Sequence, residues 1–195
     1  MNKGSHISLA LFLLEKEELK ELRLNKRAFL MGSILPDCIP SFLTTRHNIT
    51  ETFDLLKSEI DKITRNYNNQ RGITKYFCIH LGTIMHYLAD YFTFPHNPGF
   101  CGRVKEHIDY ERSLLLSINQ YFEQGAYQQS ENQMNSLDYF DDFVLKMHDD
   151  YLKQNKTLAT DCYYITTVCF EVASYLVKCL LSDKRMEELK QEIAA

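Results

Sequence analysis

The sequence predicts an all-α fold, a single compact multi-helix domain over residues 1–195. Three observations lead there. A length of 195 residues, with 45% hydrophobic and 25% charged residues, is that of one globular domain and excludes a disordered or fibrous chain. Only 7 Gly and 4 Pro are present, too little turn chemistry for an all-β architecture that reverses about every 8–12 residues. Apolar residues instead recur at helical spacing along most of the chain.

Ser5 reads as an N-cap, and Leu9, Phe12, Leu13 and Leu14 follow at helical spacing. A first helix therefore starts near His6, carried to about Leu24 by a mixed-charge stretch. Lys26 to Ile34 is a short second helix, stopped because Pro36 pushes Leu35 out of the α region and offers no amide donor. Asp37 is thereby presented at a helix exit. Two prolines and a polar cluster mark residues 35–49 as a loop, after which Thr50 caps a helix with Phe53, Leu56, Ile60 and Ile63 on one face. His47 sits just ahead of it. Asn68 to Gly72 is a turn, and Ile73 to about Phe92 is a long apolar helix, buried on most sides and central to the fold. The segment Phe94-Pro95-His96-Asn97-Pro98-Gly99 is non-helical, Val104 to Phe122 resumes the helical period, and Gln124 to Ser136 is polar loop. Two more helices cover about 137–155 and 159–182, with a charged helical tail from Asp183 to Ala195. The Tyr and Phe stripes along 73–94 and 163–175 are read as core.

Charge and cysteine usage narrow the function classes. The net charge of −4, from 26 acidic and 22 basic residues mixed along the chain, provides no basic block to neutralise a phosphate backbone, so no stable nucleic-acid partner is expected. The six cysteines form no C-x-x-C pair and are read as thiols. Ile7 to Leu14 has the length of a signal-peptide core, but Glu15-Lys16-Glu17-Glu18 follows directly and no cleavage site is visible. No stretch approaches the ~20 apolar residues of a membrane span, so a cytoplasmic chain without a transmembrane segment is expected.

The chemistry lies in two pairs, His86-x-x-x-Asp90 on the central helix and His107-x-x-x-Glu111 on the next. Residues at i and i+4 share a helix face with Cβ atoms about 5–6 Å apart, so imidazole and carboxylate can converge on one metal from a rigid backbone. One such pair is usually a surface ion pair; two in succession are harder to dismiss. His96 projects between them from a backbone held by Pro95 and Pro98, and His6, Asp37 and His47 lie upstream. His80 is off this face and reads as a packed or supporting histidine. His148, beside Asp149 and Asp150, reads as part of a solvated helix face.

In chain order, His6, Asp37, His47, His86-x3-Asp90-x5-His96 and His107-x3-Glu111 resemble the zinc-dependent phospholipase C family and the related trinuclear-zinc single-strand nucleases. The resemblance covers residues 1–111 and places five of the seven histidines in register. Its local pieces are Gly32-Ser33-Ile34-Leu35-Pro36-Asp37 and His86-Tyr87-Leu88-Ala89-Asp90. It implies an all-α fold with up to three zinc ions in a cleft between helices, hydrolysing phosphodiester or phosphomonoester bonds. By that resemblance Asp37, His47, His86 and Asp90 hold one zinc; His96, His107 and Glu111 hold a second; His6 and Asp90 hold a third. Three zincs need roughly twelve bonds, of which these eight side chains supply about nine if Asp90 bridges two ions.

In the family a further ligand is the amino group and carbonyl of an N-terminal tryptophan, and this chain has no tryptophan. Met1 precedes His6 by five residues, near enough for its α-amine to take that place at the third site. The alternative is a frayed terminus with water instead. Zincs about 3.5–4 Å apart would acidify a shared water and clamp phosphoryl oxygens, and Asp37 is the candidate catalytic residue that orients or deprotonates the attacking water. The expected activity is thus that of a metal-dependent phosphoesterase acting on a phospholipid or its head-group fragment. A nuclease or nucleotidase is the enzymatic alternative, disfavoured by the acidic charge and the lack of a basic, aromatic-lined strand path. A binding module stapled by metal is the non-enzymatic one.

Overall fold

A computed structural model of the chain describes residues 1–38, 46–125 and 133–194, with side chains as far as Ser182. Among the described residues there are seven α-helices and no strand: α1 Lys3–Glu15, α2 Lys26–Ile34, α3 Ile49–Ile63, α4 Lys75–Tyr91, α5 Val104–Glu123, α6 Phe140–Lys153 and α7 Leu158–Ala194. The all-α expectation is met, and α2 falls on the expected bounds.

Helix α4 is the axis of the molecule. Thr74 caps it by accepting from the Phe77 amide, and from Leu81 to Phe92 every residue is buried. Its packing against α2 is unusually close because a glycine from each helix sits at the crossing. A Cβ on Gly32 would lie 2.0 Å from the Ile79 carbonyl oxygen, and one on Gly82 would lie 2.4 Å from that of Phe29. Neither backbone can accommodate a side chain there, so the glycines set the separation that lets α2 reach the site-bearing half of α4. Helix α3 joins the same axis through Thr52, whose hydroxyl lies 3.0 Å from that of Tyr91.

Several expectations are corrected. The first helix ends at Glu15, because Lys16 is extended, and Glu17–Asn25 continues as a 3-10 helix. Its cap is Asn2, whose side chain accepts from the Ser5 amide; Ser5 lies inside the helix and is buried. Helix α3 is likewise capped by Asn48 rather than Thr50, through the Glu51 amide. Phe94–His96 forms a single 3-10 turn rather than purely extended loop. The expectation about membrane spans also changes: Leu158–Ser182 is long and apolar enough to cross a membrane by length and composition. Interspersed Asp161, Glu171 and Lys178 hide it from a search for unbroken apolar runs. Two-thirds of it is buried inside the fold, as in the core helix of a globular domain. Parts of the expected loops at 35–49 and 124–136 lie outside the described residues, as do the side chains of the expected charged tail.

Most of the aromatic stripe is core, with Tyr87, Tyr91, Phe92, Tyr164 and Phe170 buried, although Tyr76 and Tyr163 reach solvent. All six cysteines are free thiols.

Candidate metal centre

Six chain segments deliver side chains to one buried point beside the C-terminal half of α4. His86 and Asp90 come from α4 itself, one turn apart. Asp37 comes from the 3-10 turn Pro36–Cys38 that follows α2. His47 precedes the Asn48 cap of α3, His96 ends the turn after α4, and His107 and Glu111 lie on the first turns of α5. His6 enters from α1, stacked on the His86 ring with centroids 3.9 Å apart.

Asn2 brings the chain start in. While its side-chain oxygen caps α1, its amide nitrogen donates to the Glu111 carbonyl at 2.8 Å, tying the two helices together. The Met1 amine then lies against Asp90 Oδ1, 3.1 Å from His96 Nε2 and 3.3 Å from Glu111 Oε1. Capping residues are easy to spot in a sequence; the tie to Glu111 is not, because its partner is 109 positions away.

Asp90 is the hub. Its Oδ1 faces the Met1 amine and, at 3.4 Å, His6 Nε2; its Oδ2 lies 3.2 Å from His47 Nδ1 and 3.3 Å from His86 Nε2. Asp37 Oδ1 approaches the same two rings, at 3.7 Å from His47 Nδ1 and 3.6 Å from His86 Nε2. Glu111 Oε1 lies 3.1 Å from His107 Nε2 and 3.4 Å from His96 Nε2. Three groups of potential ligand atoms, each within 4.8 Å of one another, result: His6, Asp37 and His86; His47, His86 and Asp90; and His96, His107 and Glu111. All nine residues anticipated from the sequence meet here. The third group is as anticipated, and His6 stands near Asp37 as well as Asp90.

Two hydrogen bonds set the rings for ligation. His86 Nδ1 donates to the Ser33 carbonyl at 2.9 Å, and His96 Nδ1 donates to the His47 carbonyl at 3.0 Å. Each bond places the proton on Nδ1 and leaves the Nε2 lone pair aimed into the cage. His86 Nε2 then meets His47 Nδ1 at 3.0 Å, and His6 Nε2 is buried with no hydrogen-bond partner. Lone pairs and carboxylates converging on an orphaned buried nitrogen fit a cation, and imidazole, carboxylate and amine donors without thiolate suit zinc. The Tyr87 ring stands edge-on to His47 and His86, at 5.5 and 5.6 Å, and walls the cage.

Electrostatics agree with a cage built around positive charge. Burial pushes His6 down to about 3, with His86 adding to the effect. Burial raises the Asp37 carboxyl, reinforced by Asp90. For the Met1 amine burial acts downward, but Asp90 and Glu111 outweigh it and hold the amine above its ordinary value. Asp90 is held well below the usual carboxylate range by the Met1 amine and the surrounding histidines, against the effect of burial. His6, His86 and Asp90 are closed off, whereas the His107 side chain is 34% exposed, so the cage opens beside α5.

The two remaining histidines lie elsewhere. His80 pairs with Glu59 of α3 and tilts against Tyr76, a packed histidine outside the three ligand groups. His148 is corrected: only 7% exposed, it is no part of a solvated face, and its Nε2 donates to Asn97 Oδ1 at 2.7 Å. Burial lowers it to about 4.

These shifts set a pH dependence. His6 and His148 stay neutral in the fold below their ordinary 6.5, while in the unfolded chain both take up protons there. Their contribution to stability is therefore complete above about pH 6.5 and is lost as pH falls toward 3–4. Asp161, raised by burial from 3.8 to about 6, and Asp37, also raised by burial, act oppositely over their own windows, but between pH 7 and 4.5 the two displaced histidines outweigh Asp161. Zinc-free protein is expected to unfold at lower urea at pH 4.5 than at pH 7; an equal or higher midpoint would contradict this electrostatic picture.

Residues 5–158 match a family model described as zinc dependent phospholipase C. No curated protein and no solved structure matches the chain.

Proposed function

On the premise that this chain belongs to the zinc-dependent phospholipase C family, we propose that it hydrolyses a phosphoester of a phospholipid or its head-group fragment with zinc held in the α4 cage. The observation that carries the reading is the division of labour at Asp90, whose two oxygens face two different sets of nitrogens. A carboxylate so placed could serve two cations at once, whereas a lone structural zinc would need no such sharing. Asp37, His47, His86 and Asp90 would hold one ion; His96, His107 and Glu111 a second; His6, Asp90 and the Met1 amine a third.

Bound there, zinc supplies a Lewis acid that stabilises charge on the phosphoryl group and brings the pKa of water toward neutrality. The chain's own residues do the rest. The His96, His107 and Glu111 group stands at the open side, where three side chains would leave a bound zinc a position for substrate oxygen. Asp37 reaches the cage from a turn rather than a helix, with a carboxyl whose proton affinity is raised by burial, which suits it to orient an attacking water and accept its proton. His86 and His96 are kept from rotating by their carbonyl partners.

The test is hydrolysis of a chromogenic phosphodiester, a phosphomonoester, single-stranded DNA and phosphatidylcholine micelles, each with zinc and with chelator. Zinc-dependent turnover of the diester and the micelle supports the reading. Turnover of the monoester or of single-stranded nucleic acid alone would move the chain to a nucleotidase or nuclease role, and zinc uptake without turnover would leave a metal-stapled binding module.

The amine ligand has its own test. In protein whose first residue is Met1, extension by two residues is expected to lower zinc retention by about one ion per chain and to slow hydrolysis, because a peptide nitrogen is no ligand at neutral pH. Unchanged zinc content and rate would leave His6 and Asp90 to hold the third ion with water.

A further inference from the structure

All nine residues of the cage lie between Met1 and Glu111, yet α7 packs against both α4 and α5, and α6 packs against α7. Two buried polar side chains on these helices, Asp161 and His148, touch no member of the cage. Their hydrogen bonds end on its immediate neighbours.

Asp161, in the first turn of α7, has no solvent exposure and accepts three hydrogen bonds. Its Oδ2 accepts from the Phe94 amide at 3.0 Å and the Tyr110 hydroxyl at 2.9 Å; its Oδ1 accepts from the Tyr151 hydroxyl at 2.8 Å. Phe94 opens the turn that ends in His96, and Tyr110 precedes Glu111 on α5. One carboxylate thus joins the two segments that carry His96 and Glu111. His148 of α6 closes the same loop from its other end. Its Nε2 donates to Asn97 Oδ1, and Asn97 Nδ2 donates to the Tyr91 and Thr93 carbonyls, at 2.9 Å each. Asn97 Oδ1 carries no proton, so the His148 tautomer is fixed. Between these two anchors the His96 ring is directed by its Nδ1 bond to the His47 carbonyl and by its Nε2 contacts with the Met1 amine and Glu111.

We propose that Asp161 and His148 are positioning residues that hold the His96 loop and the start of α5 in register, so that His96, His107 and Glu111 converge on one zinc. This rests on the reading that those three residues ligate metal. A buried acceptor meeting three donors is costly to form unless every bond is made, and once formed it allows the loop one placement. At the far side His86 is held by the Ser33 carbonyl, and His6 stacks on the His86 ring. Loss of either clamp should therefore weaken one zinc site and spare the others.

Zinc affinity is read by competition against a chromogenic chelator, cobalt substitution reports the ligand field, and melting of zinc-free protein reports the scaffold. Asp161→Ala is expected to weaken one zinc per chain by roughly 10–100-fold and to change the cobalt spectrum, leaving the tighter ions as in the wild type. Asp161→Asn should restore most of the affinity, because its oxygen can serve Phe94 and Tyr110 while its amide donates to a rotated Tyr151 hydroxyl. If Asp161→Ala does not fold, His148→Phe keeps the ring packing against Phe92 while removing the polar contacts to Asn97 and the Tyr91 backbone, and should weaken the same ion. Wild-type affinity at every site with only a lower melting temperature, or equal weakening at all sites, would overturn the clamp while leaving the metal centre standing. A wild-type protein that takes up no zinc would overturn both.

Discussion

Replacing Asp90 with Asn is expected to strip more zinc than any other single ligand substitution. Its two oxygens face the His6 and Met1 nitrogens on one side and the His47 and His86 nitrogens on the other, so one change weakens two sites. An amide contributes a neutral oxygen and an NH2 group that can only donate, and it removes the charge that balances the Met1 amine and the surrounding histidines. The expected outcome is loss of about two ions per chain, and of all measurable phosphoesterase activity, in a protein that is still helical. Elemental analysis beside circular dichroism checks this. Glu111→Gln, which touches one group only, should lose about one ion. Equal loss in the two variants would show that Asp90 bridges nothing.

Asp37→Asn is expected to separate rate from binding. The Asp37 carboxylate stands 3.6–3.7 Å from the His86 and His47 nitrogens, farther than Asp90 does, and enters on a short turn. If it handles the proton of the attacking water, its amide should cost about 10²–10⁴-fold in kcat with little change in KM. More zinc should remain than in Asp90→Asn. Metal loss equal to that of Asp90→Asn would make Asp37 an ordinary ligand, and an unchanged kcat would remove it from the reaction.

What could be read from the sequence divides along the range of the interactions. Helix α2 was legible to the residue because Pro36 offers no amide donor, although Leu35 keeps the α-region backbone that the proline was expected to deny it, and α4 because apolar residues dominate it. The pairs His86/Asp90 and His107/Glu111 were legible for the same reason, since i and i+4 share a face. Lys16 was not: nothing in its neighbours announces the extended backbone that ends α1. His148 was misread because its neighbours Asp149 and Asp150 are solvent-facing, while its partner Asn97 lies 51 residues away. Asp161 left no signal at all, since its three donors come from three separate segments. The glycine crossing belongs to the same class. Gly32 and Gly82 look like weak points in their helices until the opposite backbone is seen 2.0–2.4 Å from where a Cβ would stand.

The central claim is that one cage of nine residues, shared through Asp90, holds several zinc ions. Its most direct measurement is the zinc content of tag-free protein beginning at Met1, reconstituted with zinc, dialysed and analysed for metal per chain. The account predicts about three ions, with the third lost first on dilution, since it shares Asp90 with another ion and depends on the Met1 amine. Fewer than one ion per chain in folded protein would contradict it.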